Sequence, residues 1–260
     1  MGIKYYVADA FAEKPFAGNP AGVCLPEKPL PEEMMQAIAA ENNLSETAFV
    51  VANGNDYGIR WFTPRVEIDL CGHATLASAF VLHKFAAPER SEFRLHSQSG
   101  LLKVSAANDG LYVLDFPARM PEPVAITQEM RAAIGCEIIE ARLARDLILV
   151  LENEAAVRAC RPDTALVAGL PGHACCVTAK GGACDFVSRF FAPKLGIGED
   201  PVTGSAHTEL IPLWAAKLGK QTLTARQLSQ RVGALFCENK GERVLIGGRA
   251  ALYLTGEINV

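Results

Sequence analysis

Two short segments of the sequence place chemically active side chains directly before apolar helical patterns. The first is CGHAT at residues 71–75, and the second is GEDPVTGSAH at residues 198–207. In the second segment, Asp200 followed by Pro201 predicts a helix start, with Asp200 as the N-cap and Pro201 as the first helical residue. Backbone N–H groups at the start of a helix attract anions. Together the two segments predict a site for a small acid, bound through its carboxylate.

Each of these residues also has a purely structural interpretation. Asp200 can serve only as a helix cap, and His73 can be a hydrogen-bonded histidine of the first helical turn. Cys71 can be a small buried hydrophobic residue. The residue types alone leave both interpretations open.

Glu46 is a candidate acid or base because of its apolar surroundings. It lies in NNLSETAFV, between a predicted helix and a predicted strand, close to Ala48 and Phe49. A carboxylate at the rim of an apolar pocket is suited to general acid or base catalysis, whereas a solvated loop carboxylate is the alternative. Asn19, in FAGNPAGV, is either a turn residue before Pro20 or a residue of the same cleft, in contact with substrate.

A segment of the sequence has a similar counterpart 132 residues later. CGHATLASAFVL at 71–82 corresponds to TGSAHTELIPLW at 203–214, and each segment follows a strand that ends in aromatic residues. The 71–82 helix is apolar nearly all round and must be enclosed, and its counterpart is similarly apolar. The repeat predicts two similar domains, residues 1–120 and 121–260, each with strands around a central helix. We expect the two domains to face each other, with both helix starts at a shared cleft.

Turn and helix signals outline the other elements. Pro31 followed by Glu32 and Glu33 predicts a helix that ends near Asn42, and the second apolar helix is predicted from about residue 201 to 217. Short helices are predicted at about 126–134 and 162–168, and strands at about 3–11, 22–25, 47–52, 58–63, 92–97, 101–106, 111–116, 137–151, 174–179, 185–191, 231–237 and 242–258.

Composition excludes several classes of protein. The 260 residues include 25 Lys and Arg against 29 Asp and Glu, with no run of basic residues, so nucleic acid is not an expected partner. No stretch approaches 18 uninterrupted apolar residues, so no membrane span is expected. The first residues, MGIKYYVADAF, carry no export or lipidation signal, and a cytoplasmic location is expected.

The cysteines are expected to be reduced thiols, because eight in 260 residues are too few for a disulfide scaffold. His173, Cys175, Cys176 and Cys184 form the one cluster that merits testing as a metal site. Zinc sites use separated cysteine pairs, whereas adjacent residues of a strand point to opposite faces. No metal is therefore predicted.

Four segments resemble the PhzF-like (phenazine biosynthesis-like) family. They are VADAFAEKPFAGNPAGV near the N-terminus, NLSETAFV at 43–50, RWFTPRVEIDLCGHATLASA at 60–79 and GEDPVTGSAH at 198–207. The resemblance covers both halves in the expected order. It implies an α+β, diaminopimelate-epimerase-like fold with two pseudo-twofold-related domains, each a strand-rich barrel around a central apolar helix. It also implies isomerase chemistry without a cofactor, and a homodimer.

The resemblance assigns roles to individual residues. Glu46 matches the general acid/base that moves a proton between carbons of the substrate. His73 and Asp200 match residues that flank the substrate and form hydrogen bonds with it. Positions that line the carboxylate site are matched by Ser45, Gly72, Gly204 and Ser205.

The expected function is carbon-to-carbon proton transfer on a small carboxylate, which in the namesake enzyme is a dihydro-hydroxyanthranilate. A two-base racemase of the wider superfamily would carry Cys at both helix starts, but here the residues are Cys71 and Thr203. A hydroxyl is too weak an acid–base group to replace a thiolate, which favours one-base transfer by Glu46. Two alternatives stay open: an amino-acid racemase or epimerase that uses Cys71 with another base, and a non-catalytic protein that binds small acids.

Overall fold

Short strands are the most frequent elements of the chain. In the computed structural model, which describes residues 2–260, the strands are β1 (Gly2–Ala10), β2 (Asn19–Leu25), β3 (Glu46–Asn53), β4 (Asp56–Phe62), β5 (Glu67–Ile68), β6 (Glu92–Ser97), β7 (Gly100–Ala106), β8 (Tyr112–Pro117), β9 (Glu122–Val124), β10 (Glu140–Leu143), β11 (Leu147–Val150), β12 (Cys175–Lys180), β13 (Phe186–Ala192), β14 (Ile197–Asp200), β15 (Thr222–Gln227), β16 (Gly233–Asn239), β17 (Arg243–Gly248) and β18 (Ala250–Asn259). The helices are α1 (Glu32–Asn42), α2 (Gly72–Phe85), α3 (Gln128–Ile134), α4 (Glu154–Ala159), α5 (Thr164–Ala168) and α6 (Gly204–Leu218), with a 3₁₀ turn at Pro193–Leu195.

The elements divide between two units. The first contains the chain up to Asp115 together with Gly247–Val260, and the second is Phe116–Ile246. Strand β18 pairs antiparallel with β1 from one end to the other, so the C-terminal strand belongs to the first unit. The sequence-based division at residues 120 and 121 differs here, since it assigns that strand to the second domain.

The two units use the same order of strand pairing. In the first unit, β1–β2 is antiparallel, β2–β3 parallel, β3–β4 antiparallel, β4–β6 parallel and β6–β7 antiparallel. In the second unit, β10–β11, β11–β12, β12–β13, β13–β15 and β15–β16 follow the same alternation. The strand order therefore repeats along the chain, as the sequence repeat predicts.

Each unit contains one almost completely buried helix. Ten of the 14 residues of α2 and eleven of the 15 residues of α6 are buried. Helix α2 packs against β1, β2, β3, β7 and β18, and α6 packs against β15 and β16. A helix that is apolar on all sides needs such an enclosure, because any exposed face would leave apolar surface in water.

The predicted helix after Pro31 is confirmed: α1 carries Glu32 and Glu33 in its first turn and ends at Asn42. The predicted start of α6 is wrong by three residues. Asp200 is the last residue of β14, where it pairs with Phe190 of β13. The N-cap of α6 is Thr203, so Asp200 does not cap the helix.

Several short elements have no counterpart in the sequence predictions. These are β5, β9, β14, β15 and α4. Strand β15 alternates exposed and buried residues along its length, a regular pattern that the sequence interpretation missed. Among the described residues, no helix is both long enough and apolar enough to cross a membrane.

Candidate active site

Glu46 is the first residue of β3. It lies opposite Ala21 in the parallel pairing with β2, and only 6% of it is exposed. Ser45 precedes it and is half-buried. The carboxylate is therefore held in the interior of the first unit by the strand that begins at this residue, and it is not the solvated loop group that the sequence leaves open.

His73 and Cys71 lie at the start of α2, where Cys71 is the N-cap and Gly72 the first helical residue. His73 Nε2 lies 2.9 Å from Glu46 Oε2. Cys71 Sγ lies 3.5 Å from His73 Nδ1. Cys71 and His73 are buried, like Glu46, and Gly72 is buried between them. The first unit thus brings a carboxylate, an imidazole and a thiol together at one helix start.

Asn19 fixes the imidazole from the other side. It is the first residue of β2, it is fully buried, and its Nδ2 lies 3.2 Å from His73 Nδ1. Because the Asn19 amide contacts Nδ1, the ring presents Nε2 to Glu46. This contact orients the histidine, a role the sequence does not indicate for Asn19.

Burial and neighbouring charge shift the pKa values of Cys71 and His73. Burial raises the pKa of the Cys71 thiol and the Glu46 carboxylate raises it further, with a smaller opposing effect of His73. The thiol is therefore protonated at neutral pH. Burial lowers the pKa of His73, but its interactions with Cys71, when that thiol is ionised, and with Glu46 outweigh burial and raise that pKa well above 6.5. With the thiol protonated, the Glu46 carboxylate is the group that favours a positively charged imidazole.

In the second unit, a hydrogen-bonded group of polar residues surrounds the start of α6. The Thr203 hydroxyl donates to Asp200 Oδ2 at 2.5 Å. Gln227 Oε1 accepts the Thr203 N–H at 2.8 Å, and Gln227 Nε2 donates to the Asp200 carbonyl at 2.7 Å. Gln227 is buried at the end of β15, so it fixes both the strand end and the helix start.

Neither helix start is capped by its own N-cap side chain. No cap hydrogen bond of normal geometry joins an amide of α2 to the Cys71 side chain, although the Ala74 amide is close enough to lower the pKa of the thiol, and no amide of α6 donates to the Thr203 side chain. First-turn amides that are not used by a cap are available to an anionic ligand. Gly204, which is buried, and Ser205, which is half-buried, are the first two residues of α6.

Ser205 is connected to an ion pair. Arg145 Nη2 donates to Ser205 Oγ at 2.9 Å and to Asp146 Oδ2 at 2.7 Å. Asp146 is fully buried, and its backbone N–H lies 3.3 Å from each carboxylate oxygen of Glu209. Arg145 thus places a positive charge beside the start of α6.

The structure brings the predicted residues together in two groups. Asn19, Glu46, Gly72 and His73, with the adjacent Ser45, gather in the first unit, and Asp200, Gly204 and Ser205 gather in the second. That both groups serve one substrate stays a prediction. Sequence reasoning missed Arg145 and Gln227, because neither belongs to a motif. Both are far in the sequence from the start of α6, Arg145 in the turn between β10 and β11 and Gln227 at the end of β15.

Comparison with solved structures defines the fold. The crystal structure of a phenazine biosynthesis protein of the PhzF family from Enterococcus faecalis matches with a TM-score of 0.98 and 52% identity, covering 100% of each chain. A hydroxyproline epimerase from Agrobacterium vitis, with 10% identity, matches with a TM-score of 0.62 over 99% of this chain and 92% of that chain. The second likeness is one of fold alone. The protein has the α+β fold of the epimerase-like proteins, as expected.

Comparison with known sequences defines the family. The family model described as phenazine biosynthesis-like protein matches residues 8–256. A Pseudomonas aeruginosa protein named as an uncharacterized isomerase is 51% identical over 100% of both chains, and a human phenazine biosynthesis-like domain-containing protein is 38% identical over 99% of both. The chain belongs to the PhzF-like, or phenazine biosynthesis-like, isomerase family.

Proposed function

We propose that the protein is an isomerase that moves a proton between two carbons of a small carboxylate substrate, without a cofactor, using Glu46 as the general acid and base. The observation that carries this proposal is the buried contact between Glu46 Oε2 and His73 Nε2 at 2.9 Å. A single carboxylate can remove a proton from one carbon and return it to another on the same face. Buried, oriented carboxylates are effective in such transfers.

His73 supports this role through its charge and its position. The raised pKa of His73 keeps a proton on the ring, so the imidazolium balances a negative charge on Glu46 or on the substrate. Asn19 Nδ2 lies 3.2 Å from Nδ1 of the same ring. We assign His73 to hydrogen bonding of the substrate rather than to proton removal from carbon.

The substrate carboxylate is proposed to bind at the helix starts. The candidate positions are Ser45 and Gly72 in the first unit, and Gly204 and Ser205 in the second. Asp200 is proposed to flank the substrate and to form a hydrogen bond with it. The uncapped first turns of α2 and α6 support this assignment, because their amides have no cap side chain to satisfy them. Arg145 donates to Ser205 at this helix start, and its charge is paired with Asp146.

The thiol is a weaker candidate for the base. Burial and Glu46 raise the pKa of Cys71, and a protonated thiol cannot accept a proton from carbon. A racemase that uses Cys71 is therefore less well supported than one-base transfer by Glu46.

Deuterium exchange tests the proposal. The protein is incubated in D₂O with small cyclic and amino-acid carboxylates, including dihydro-hydroxyanthranilate, and deuterium incorporation into carbon is followed by NMR. Glu46→Gln keeps the shape and removes the base, so we expect a loss of about 10²–10⁴-fold in the exchange rate. Glu41→Gln, an exposed change in α1, is the matched control and should exchange like the wild type.

Three outcomes separate the alternatives. Exchange that depends on Glu46 supports the proposal. Exchange that survives Glu46→Gln but is lost in Cys71→Ser supports the racemase instead. Binding of a carboxylate without any exchange supports a non-catalytic small-acid-binding protein.

A further inference from the structure

The three side chains at the start of α2 form a set of metal ligands. Glu46, Cys71 and His73 each offer one ligand atom, and these atoms all lie within 4.8 Å of one another. They are the one such group of three or more His, Cys, Asp or Glu side chains within residues 2–260. A carboxylate, a thiol and an imidazole are the ligand types that zinc uses in proteins.

The distances fit a tetrahedral ion. At zinc–ligand bonds of about 2.0–2.3 Å, neighbouring ligand atoms of a tetrahedral site are about 3.3–3.6 Å apart. His73 Nε2 lies 2.9 Å from Glu46 Oε2 and 4.0 Å from Cys71 Sγ, so the two distances lie on either side of that spacing. The ligand atoms of Glu46 and Cys71 also lie within 4.8 Å of each other.

The carboxylate is incompletely satisfied by the protein. Glu46 Oε2 is buried and close to His73 Nε2, yet it has no hydrogen bond of normal geometry. Leaving a buried carboxylate oxygen without a proper partner costs free energy, which a bound cation would offset. A bound cation would be a well-directed partner for this oxygen, in addition to the contact with His73.

The surroundings hold the ligands in place. Glu46 begins β3, and Cys71 and His73 lie at the start of the buried helix α2, so the backbone fixes all three positions. Asn19 contacts Nδ1 of His73 and leaves Nε2 for the ion.

We propose that Glu46, Cys71 and His73 bind Zn²⁺ or a similar thiophilic divalent cation, and that the bound ion blocks Glu46. Binding replaces the proton of the Cys71 thiol and the Nε2 proton of His73 by the metal and releases both protons to the solvent, with no change in oxidation state. The fourth position of the ion is left for water or for a ligand carboxylate. The thiolate disfavours Mg²⁺ and Ca²⁺, which prefer oxygen ligands. The blocking of Glu46 rests on the function proposed above, whereas the binding itself does not.

Cobalt provides a direct probe of the binding. Co²⁺ is added to the reduced full-length protein, and absorption is recorded for the thiolate-to-cobalt charge-transfer band and for the intense visible bands of tetrahedral cobalt. We expect one Co²⁺ per chain with both signatures, and one equivalent of Zn²⁺ should abolish them. Cys71→Ala and Cys71→Ser should both lose the charge-transfer band, and Glu46→Gln should weaken binding at least tenfold.

The control is Cys24→Ala, which removes another buried thiol of the same unit and should retain both signatures. Circular dichroism of each variant shows that it is folded. The proposal is overturned if the wild type binds no tetrahedral Co²⁺, or if the charge-transfer band persists in both Cys71 variants. If a substrate is found, Zn²⁺ should stop its deuterium exchange and a chelator should restore it. Absence of exchange with all tested carboxylates contradicts the proposed isomerase but leaves the spectroscopic result intact.

Discussion

The backbone N–H of Asp146 lies 3.3 Å from both carboxylate oxygens of Glu209, and both residues are fully buried in the second unit. Burial raises the pKa of Glu209 to about 7, and the charge of Asp146 acts in the same direction. The Asp146 amide, Arg145 and Arg119 lower it by smaller amounts. A buried group that titrates near neutral pH makes the stability of this unit depend on pH.

Stability should fall between mildly acidic and neutral pH. Because the pKa of Glu209 is about 7 in the folded state and about 4.5 when unfolded, the folded protein binds the proton more tightly. The stabilisation that comes from the proton on Glu209, at most roughly 3 kcal/mol, is therefore complete below pH 4.5 and is lost as the pH rises through 7. The free energy of unfolding in urea should differ less between pH 5 and pH 8 for Glu209→Gln than for the wild type. Parallel pH profiles for the two proteins would contradict this, and exposed Glu92→Gln is the control.

Arg145→Met should destabilise the second unit. Arg145 is the guanidinium partner of buried Asp146 and also binds Ser205, so its removal leaves a buried carboxylate without its cation. We expect a loss of roughly 1–3 kcal/mol in urea unfolding. Arg158→Met removes an exposed ion pair with Glu154 and should cost less than about 0.5 kcal/mol. Equal losses in the two variants would refute a special role for Arg145.

Gln227→Met should loosen the start of α6. The change keeps the side-chain size but removes three hydrogen bonds, to the Thr203 N–H, the Asp200 carbonyl and the Thr203 hydroxyl. The cost should be about 1–3 kcal/mol, because a buried backbone amide is left unpaired. Amide hydrogen exchange at Gly204 and Ser205 should accelerate at least tenfold, while the start of α2 stays unchanged. Gln221→Met, at an exposed position, should accelerate neither.

Gly248→Ala should damage the core of the first unit. A Cβ at this position would lie 2.3 Å from Phe11 Cδ1 and 3.2 Å from Leu76 Cδ1, and both side chains are buried. Overpacking of this kind costs about 1–3 kcal/mol, measurable as a lower melting temperature. Gly198→Ala is the matched control because a Cβ there meets nothing within 4 Å. A melting temperature for Gly248→Ala equal to that of the control would disprove the expected clash.

The sequence predicts those elements whose signals are local. Helix α1 begins and ends where Pro31 and Asn42 indicate, because first-turn acids and a left-handed residue after the helix act within one turn. The start of α6 is not predicted, although Asp200 and Pro201 form a standard helix start. The pairing of Asp200 with Phe190 in a neighbouring strand overrides the local preference.

The candidate site is predictable only in part for the same reason. Its residue types are visible in the motifs, but the contact between Glu46 and His73 joins residues 27 positions apart through a strand and a helix. The positions of Arg145 and Gln227 depend on strand pairing and on no motif. The types of reactive side chain can be inferred from one sequence. The residues that contact and orient those side chains can be identified only from the fold.

The pairing of β1 with β18 has a consequence for the order of folding. All of the second unit, Phe116–Ile246, is synthesised before β18 emerges, whereas β1 must wait for a partner more than 230 residues away. Until then, β1 presents an unpaired strand edge, which invites association with other chains. During synthesis on the ribosome, the first unit therefore begins before the second unit but is completed after it.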